Sequence, residues 1–262
     1  MPTLGVDAIR LGAVEALCPT AAIIADSGYP TLAGKHVYDS RSVPIEHLQP
    51  GAKAVPVIAV YTEMVRGAPR GPAQFSVPAD FTVDLVIELE LAVRVRAGGG
   101  EPEGVGTPTT DAGGELQLGF LVAQARRAIV AAVGSGVLHR IVKQIVDVEA
   151  VPLRDFVSGE RLVRRSLRLR CAFDDDRWNP AGGLPEPLAM LRARLPDGSA
   201  AAARLDRIAA AIAADAARVP LDEIRMTLAA IDGAAAEEPE PPEITVSAAF
   251  NDAVPEDEEE EP

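Results

Sequence analysis

The sequence predicts an α+β fold: a mixed or antiparallel sheet built round one long amphipathic strand and flanked by helices on one face, followed by an Ala-rich helical appendage and an acidic tail. Three observations carry this expectation. First, every odd position in 81–95 is apolar (Phe81, Val83, Leu85, Ile87, Leu89, Leu91, Val93, Val95), while the even ones include Thr82, Asp84, Glu88, Glu90 and Arg94. Strict period-two alternation makes a strand with one buried face; on a helix, at about 100° per residue, the same positions would be smeared round the cylinder. Second, residues 163–173 alternate too, with Leu167, Leu169, Cys171 and Phe173 inward and Arg164, Arg168 and Arg170 outward. Third, apolar residues recur at three- and four-residue spacing in 4–17 and again in 116–133, which supplies the helices.

The remaining elements follow in chain order. The first helix ends at Cys18-Pro19, because proline disfavours helix at the residue before it. Ser27-Gly28-Tyr29-Pro30 and Gly34 mark a loop, 36–41 a strand and 44–48 a short helical turn bounded by Pro50-Gly51. Residues 55–63 are apolar on both alternations, as in a strand covered on both faces. The Gly/Pro/Thr-rich stretch 97–114 reads as an inserted flexible loop. Beyond Gly134-Ser135-Gly136, the spacing of Val137, Leu138, Ile141, Val142, Ile145 and Val146 predicts a second helical segment. Three further helical patterns, 184–195, 199–218 and 220–231, make the appendage, with Ser199 as a cap. The expected organisation is a domain over 1–175, a helical extension over 176–233 and an acidic tail over 234–262. If the two alternating strands pair antiparallel, Glu88 and Glu90 face Arg168 and Arg170, each pair contributing about 0.2–1 kcal/mol.

Charge must be located before it is interpreted. Of the net −14, eleven acids lie after residue 233 with no Lys or Arg among them, so the body is close to neutral. A run ending EDEEEEP repels itself and has little apolar surface to bury, which predicts a solvated tail. No uninterrupted apolar run of about 18 residues is present to span a bilayer. The start has no basic segment ahead of an apolar one, so a mature chain made in the cytoplasm, without a membrane partner, is expected. Cys18 and Cys171 belong to no metal or redox pattern and read as reduced, buried thiols.

No phosphate-binding, dinucleotide, nucleophile-elbow, zinc-protease or calcium-loop motif is present, so no catalytic, cofactor or metal residue is assigned and no enzyme is expected. His36, His47 and His139 are isolated in sequence and read as structural. A triad from His36, Asp39 and Ser40 fails because neighbours in one strand point to opposite faces. Asp39 and Arg41 read instead as turn-stabilising or intersubunit ion-pairing residues. The arginines at 154, 161, 164, 165, 168 and 170 make a basic face that meets either phosphates or carboxylates. With only 4% aromatic residues and none to stack bases in the strand, pairing with Glu88, Glu90 or a neighbouring subunit is the preferred reading.

Val37-Tyr38-Asp39-Ser40-Arg41, then Pro44-Ile45, Leu48-Gln49-Pro50-Gly51, Pro56-Val57-Ile58-Ala59-Val60-Tyr61-Thr62-Glu63 and the long alternating strand together resemble the tail terminator (tail completion) proteins of long-tailed bacteriophages and related tail-like particles, over roughly residues 1–175. The resemblance implies an α/β subunit that forms a hexameric ring at the head-proximal end of the tail tube. Such a ring stops tube polymerisation and joins the tail to a head-completion (stopper) protein, with DNA passing through its lumen. It implies a place in the virion tail or neck and no cofactor. On that reading the assembly contacts fall on Asp39, Arg41, Glu88, Glu90, Arg94, Arg96, Arg164, Arg168 and Arg170. Residues 81–96 would extend about 50 Å at about 3.3 Å per residue, so part of this strand is expected to project as a hairpin or to join a neighbour's sheet, with 97–114 at its tip or in the ring lumen. Two other readings stand beside it: a different neck or connector component touching DNA through the Arg-rich strand, and an unrecognised enzyme or regulatory module.

Overall fold

A computed structural model describes residues 4–44, 47–48, 54–69, 79–95, 104–108, 111–154, 161–178 and 183–216. The described residues fall in one compact unit, Met1–Arg218; the second unit, Val219–Pro262, contains the helical pattern expected at 220–231 and the acidic tail, and lies outside them. The chain runs α1 (Leu4–Leu17), α2 (Thr20–Ala25), β1 (Val37–Asp39), β2 (Val55–Pro69), β3 (Ala79–Val95), β4 (Gly104–Gly106), α3 (Ala112–Gly134), β5 (Gln144–Arg154), β6 (Arg161–Phe173), α4 (Leu188–Arg192) and α5 (Ala200–Ala216). This is a mixed α+β fold.

The sheet is ordered β1-β2-β3-β6-β5, with β4 added to the end of β3. Among the described strands β1/β2 is the parallel pair; β2/β3, β3/β4, β3/β6 and β5/β6 are antiparallel. The alternation of the long strand does what its period requires. Phe81, Val83, Leu85, Ile87, Leu89 and Leu91 enter one core with Leu167, Leu169, Cys171 and Phe173 of β6, under α1 and α3. Two glycines let α1 approach closely: a Cβ on Gly12 would stand 2.5 Å from the Leu138 side chain, and one on Gly5 2.7 Å from the Phe173 ring. The same core takes Leu188, Leu191 and Leu195 from α4 and the turn after it, and Ala201, Ala202 and Leu205 from α5. Ser199 stands before α5, its hydroxyl 3.5 Å from the Ala202 N–H.

On the opposite face a smaller cluster of Tyr38, Val43, Leu48, Val57 and Ala92 is buried by the segment after β1. Both faces of β2 are therefore covered over Val57, Ile58, Ala59 and Val60, as their unbroken apolarity predicts.

Two expectations are corrected, and one element was not foreseen. Residues 137–146 are not a helix. Ser135 and Gly136 close α3 onto Ala131, and Leu138, Ile141 and Val142 are buried through turns that mimic helical spacing; Ile145 and Val146 already belong to β5. The open edge of β6 offers backbone partners that a second helix would waste, and β-branched residues suit it. The stretch 97–114 is not all loop: β4 zips against Val93–Val95, Val163 N–H donates to Pro108 O at 3.1 Å, and α3 starts early with Asp111 capping the Gly114 N–H. The short helix α2 was not anticipated; the Glu15 carboxylate takes both the N–H and the hydroxyl of Thr20 at 2.8 Å and turns the chain there. Leu4–Ala25 and Ala112–Gly134 are each long and apolar enough, by length and composition, to cross a membrane, but charged residues interrupt both, as expected from the sequence; the first is half packed inside the fold and the second 28%.

Candidate functional site

The face of the sheet away from the helices is an ion-pair lattice. Register decides who meets whom: Glu90 stands opposite Arg164, Glu88 opposite Ser166, Val86 opposite Arg168 and Asp84 opposite Arg170. The antiparallel pairing of the two strands was expected, but Glu88 and Glu90 do not meet Arg168 and Arg170. Arg164 takes both, at 2.6 Å to Glu88 and 3.6 Å to Glu90. Burial works against the charge on Arg164, yet the hydrogen bond and charge of Glu88, with Glu90, outweigh it and raise its pKa. Glu90 also accepts the Thr107 hydroxyl at 3.1 Å, fastening the end of the β4 segment.

Arg170 goes to Asp84 at 3.1 Å, and Arg66 meets the same carboxylate at 3.3 Å. Asp84 is only 5% exposed, so two guanidiniums stand in for its lost water. Arg168 pairs with Glu63 at 3.5 Å. Glu63 and Arg66 reach the same face because a bulge lies between them, with Met64 in the left-handed region at φ 45°. Arg165 points to the other face and pairs with Glu115 of α3. Arg165, expected on the basic face, is thus a correction, while Glu63, Arg66, Asp84 and Glu115 were not singled out from the sequence. An acid at an even position of a one-sided strand looks solvated, and only the cross-strand register reveals what it faces.

Asp39 is not on this lattice. It points to the helix side, where its carboxylate accepts Arg10 of α1 and Arg204 of α5 and is only 11% exposed. Arg10 is held charged by Asp7 and Asp39 against the opposing effect of its burial. Arg41 lies over the Tyr38 ring, 5.4 Å from its centre. Arg94 donates to Leu48 O at 3.2 Å, and Arg96 lies outside the described residues. The structure thus gathers Glu88, Glu90, Arg164, Arg168 and Arg170 on one face, with Asp39 on the other.

His36 and His47 are not isolated from each other. The Tyr38 hydroxyl lies 2.8 Å from His47 Nδ1 and 3.3 Å from His36 Nδ1, and the Tyr38 and His47 rings stack at 5.8 Å. Burial, then the nearby His47 and Lys35, push the His36 pKa below its ordinary value. No group of three or more His, Cys, Asp or Glu among the described residues is placed to hold a metal ion.

Several elements present apolar side chains outward, among them α2, where Ile23 and Ile24 are exposed, and β2 at Met64. On α3, Leu116, Phe120 and Val130 are 77%, 56% and 49% exposed; on β5, at the sheet edge, Val146 and Val148 are 53% and 39% exposed. No family model matches this chain, and no curated protein matches it significantly.

Proposed function

We propose that this chain is a structural assembly subunit that forms a ring at the head-proximal end of a phage tail tube, ends tube polymerisation and joins the tail to the head. One observation carries the reading: the fold leaves unlike surfaces open, among them the apolar outer side of α3 and the β5 edge strand. A subunit with two different sticky surfaces associates head to tail, and such contacts close into a ring where the rotation permits. The residue pattern of 37–63 and the long alternating strand support placing that ring in a phage tail or neck. Its partners are then five further copies, the tail-tube protein and a stopper protein, with DNA in the lumen. The Ala-rich extension and acidic tail either decorate the outside of the ring or contact a neck protein.

The neck-component reading with DNA on the Arg-rich strand draws less support. Arg164, Arg168 and Arg170 each already have a carboxylate partner, and phosphate would have to displace it. The test is the mass of the purified chain by light scattering, followed by negative-stain imaging alone and with polymerising tail-tube subunits. Six-membered rings, or tubes capped at fixed length, are expected. A chain that stays single in solution and never binds a tube end would overturn the reading.

A further inference from the structure

We propose that His36, Tyr38 and His47 form a binding site for one divalent first-row transition-metal ion, copper(II) most tightly, which clamps the segment after β1 to the sheet. The clamp works within one chain and stands apart from the assembly reading. His36 directly precedes β1 and already pairs with β2, its carbonyl accepting the Ile58 N–H at 2.9 Å, so its side chain shares a face of the sheet with Tyr38 two residues on. His47 reaches the same place from the turn that its N–H makes with Pro44 O at 3.0 Å. Burial of Val43 and Leu48 beside Tyr38, and the Arg94 bond to Leu48 O, fix that turn on the sheet. The two imidazoles therefore meet one phenol, His47 Nδ1 at 2.8 Å and His36 Nδ1 at 3.3 Å from the Tyr38 oxygen.

A phenol has one proton to offer two ring nitrogens. A metal ion in its place uses both imidazole lone pairs and the phenolate oxygen together, and the displaced proton leaves to water. The spacing suits this: donors on bonds of about 2.0–2.1 Å stand about 2.9 Å apart at a right angle and about 3.4 Å apart at a tetrahedral one. Two histidines alone fall short of a site; the phenolate is the third donor, and the exposed side of His47 admits water as the fourth. Burial, with the neighbouring His47 and Lys35, keeps His36 unprotonated at neutral pH, the form that binds metal. Lys35 and Arg41, the latter 5.4 Å from the Tyr38 ring centre, bring positive charge to the site. A dication that expels the phenol proton adds a single unit of charge, no more than protonating an imidazole would. That opposition selects against weakly held hard cations and for the ions that imidazole binds best, with copper(II) ahead of nickel and zinc.

Titration of the chelator-treated full chain with copper(II) sulfate, and separately with zinc sulfate, tests this by calorimetry, visible absorption and thermal denaturation. One ion per chain, release of a proton, a raised melting temperature and, with copper, a phenolate-to-metal charge-transfer band are expected. Tyr38→Phe keeps the buried ring and is expected to abolish the band. Tyr38→Phe and His47→Asn are each expected to weaken uptake by at least the roughly tenfold loss that changes outside a ligand set already cause. His139→Asn, whose ring faces Val133 O instead, is expected to change nothing. Absence of uptake, absence of the band, or uptake that Tyr38→Phe and His47→Asn leave unchanged, an adventitious ion only, would overturn the site. None of these results bears on ring formation, which is read from mass and imaging.

Discussion

Asp39 and Arg204 are ion-paired although 165 residues separate them in sequence, and the same carboxylate also holds Arg10. One acidic group therefore ties the edge strand β1 to the first helix and to α5. Asp39 is nearly buried while Arg204 is about half exposed, so the two ends of the bond are not equivalent.

That asymmetry predicts unequal costs. Asp39→Ala leaves Arg10 with Asp7 as its one carboxylate among the described residues, beside the Ser40 hydroxyl, and should lower stability by about 1–3 kcal/mol. Arg204→Ala removes a half-exposed partner and should cost less than about 1 kcal/mol. Urea midpoints of the two variants check this, and equal losses would show that α5 and not α1 depends on the carboxylate.

On the outer face, Arg164 should matter more than Arg168. Arg164→Met strands Glu88 and Glu90, like charges on one strand, and is expected to cost about 1–2 kcal/mol. Arg168→Met loses a 3.5 Å pair with Glu63, both side chains more than 40% exposed, and should stay within about 0.5 kcal/mol. Thermal denaturation of both variants at low and high salt tests the order; a larger loss for Arg168 would refute it.

Below neutrality the His36 cluster should weaken the fold. Its folded pKa lies below the ordinary value of 6.5, so its contribution is intact above that pH and is lost as pH falls through the lowered value. Lys35, Arg41 and His47 are the charged or titratable neighbours, and each opposes a proton on His36 or adds none of the negative charge that would favour it. The urea midpoint should fall between about pH 7.5 and about pH 5, and His36→Asn should flatten part of that slope. An identical slope in the variant would sink the assignment.

The two thiols should be inert in the native chain. Burial, with the charge of Asp84, pushes the Cys171 thiol up to about 12; burial, with Glu15, pushes Cys18 up to about 11. Since the thiolate is the reactive form, iodoacetamide at about pH 8 should label neither until denaturant is added, as read by mass spectrometry. In the unfolded chain these thiols ionise first, so stability should decline as pH rises above the unfolded value near 9 towards the raised folded values. Rapid native labelling would contradict their burial.

Local periodicity alone was enough for several elements. The odd positions of 81–95, the inward set 167, 169, 171 and 173, and the helices at 4–17 and 116–133 were legible because burial on one face imposes a period on consecutive residues. Residues 137–146 misled for the same reason: Leu138, Ile141 and Val142 are spaced like a helix, but the spacing came from turns and the open β6 edge claimed what followed. Which carboxylate Arg164, Arg168 and Arg170 each meet was beyond local reading. A strand's period says which face a residue takes and nothing of its cross-strand register, and here register and the bulge between Glu63 and Arg66 set the partners. The same holds for His36 and His47 on one hydroxyl and for Asp39 under Arg204. Contacts between residues far apart in sequence leave no periodic trace, so they exist only once the sheet and its helices have brought the segments together.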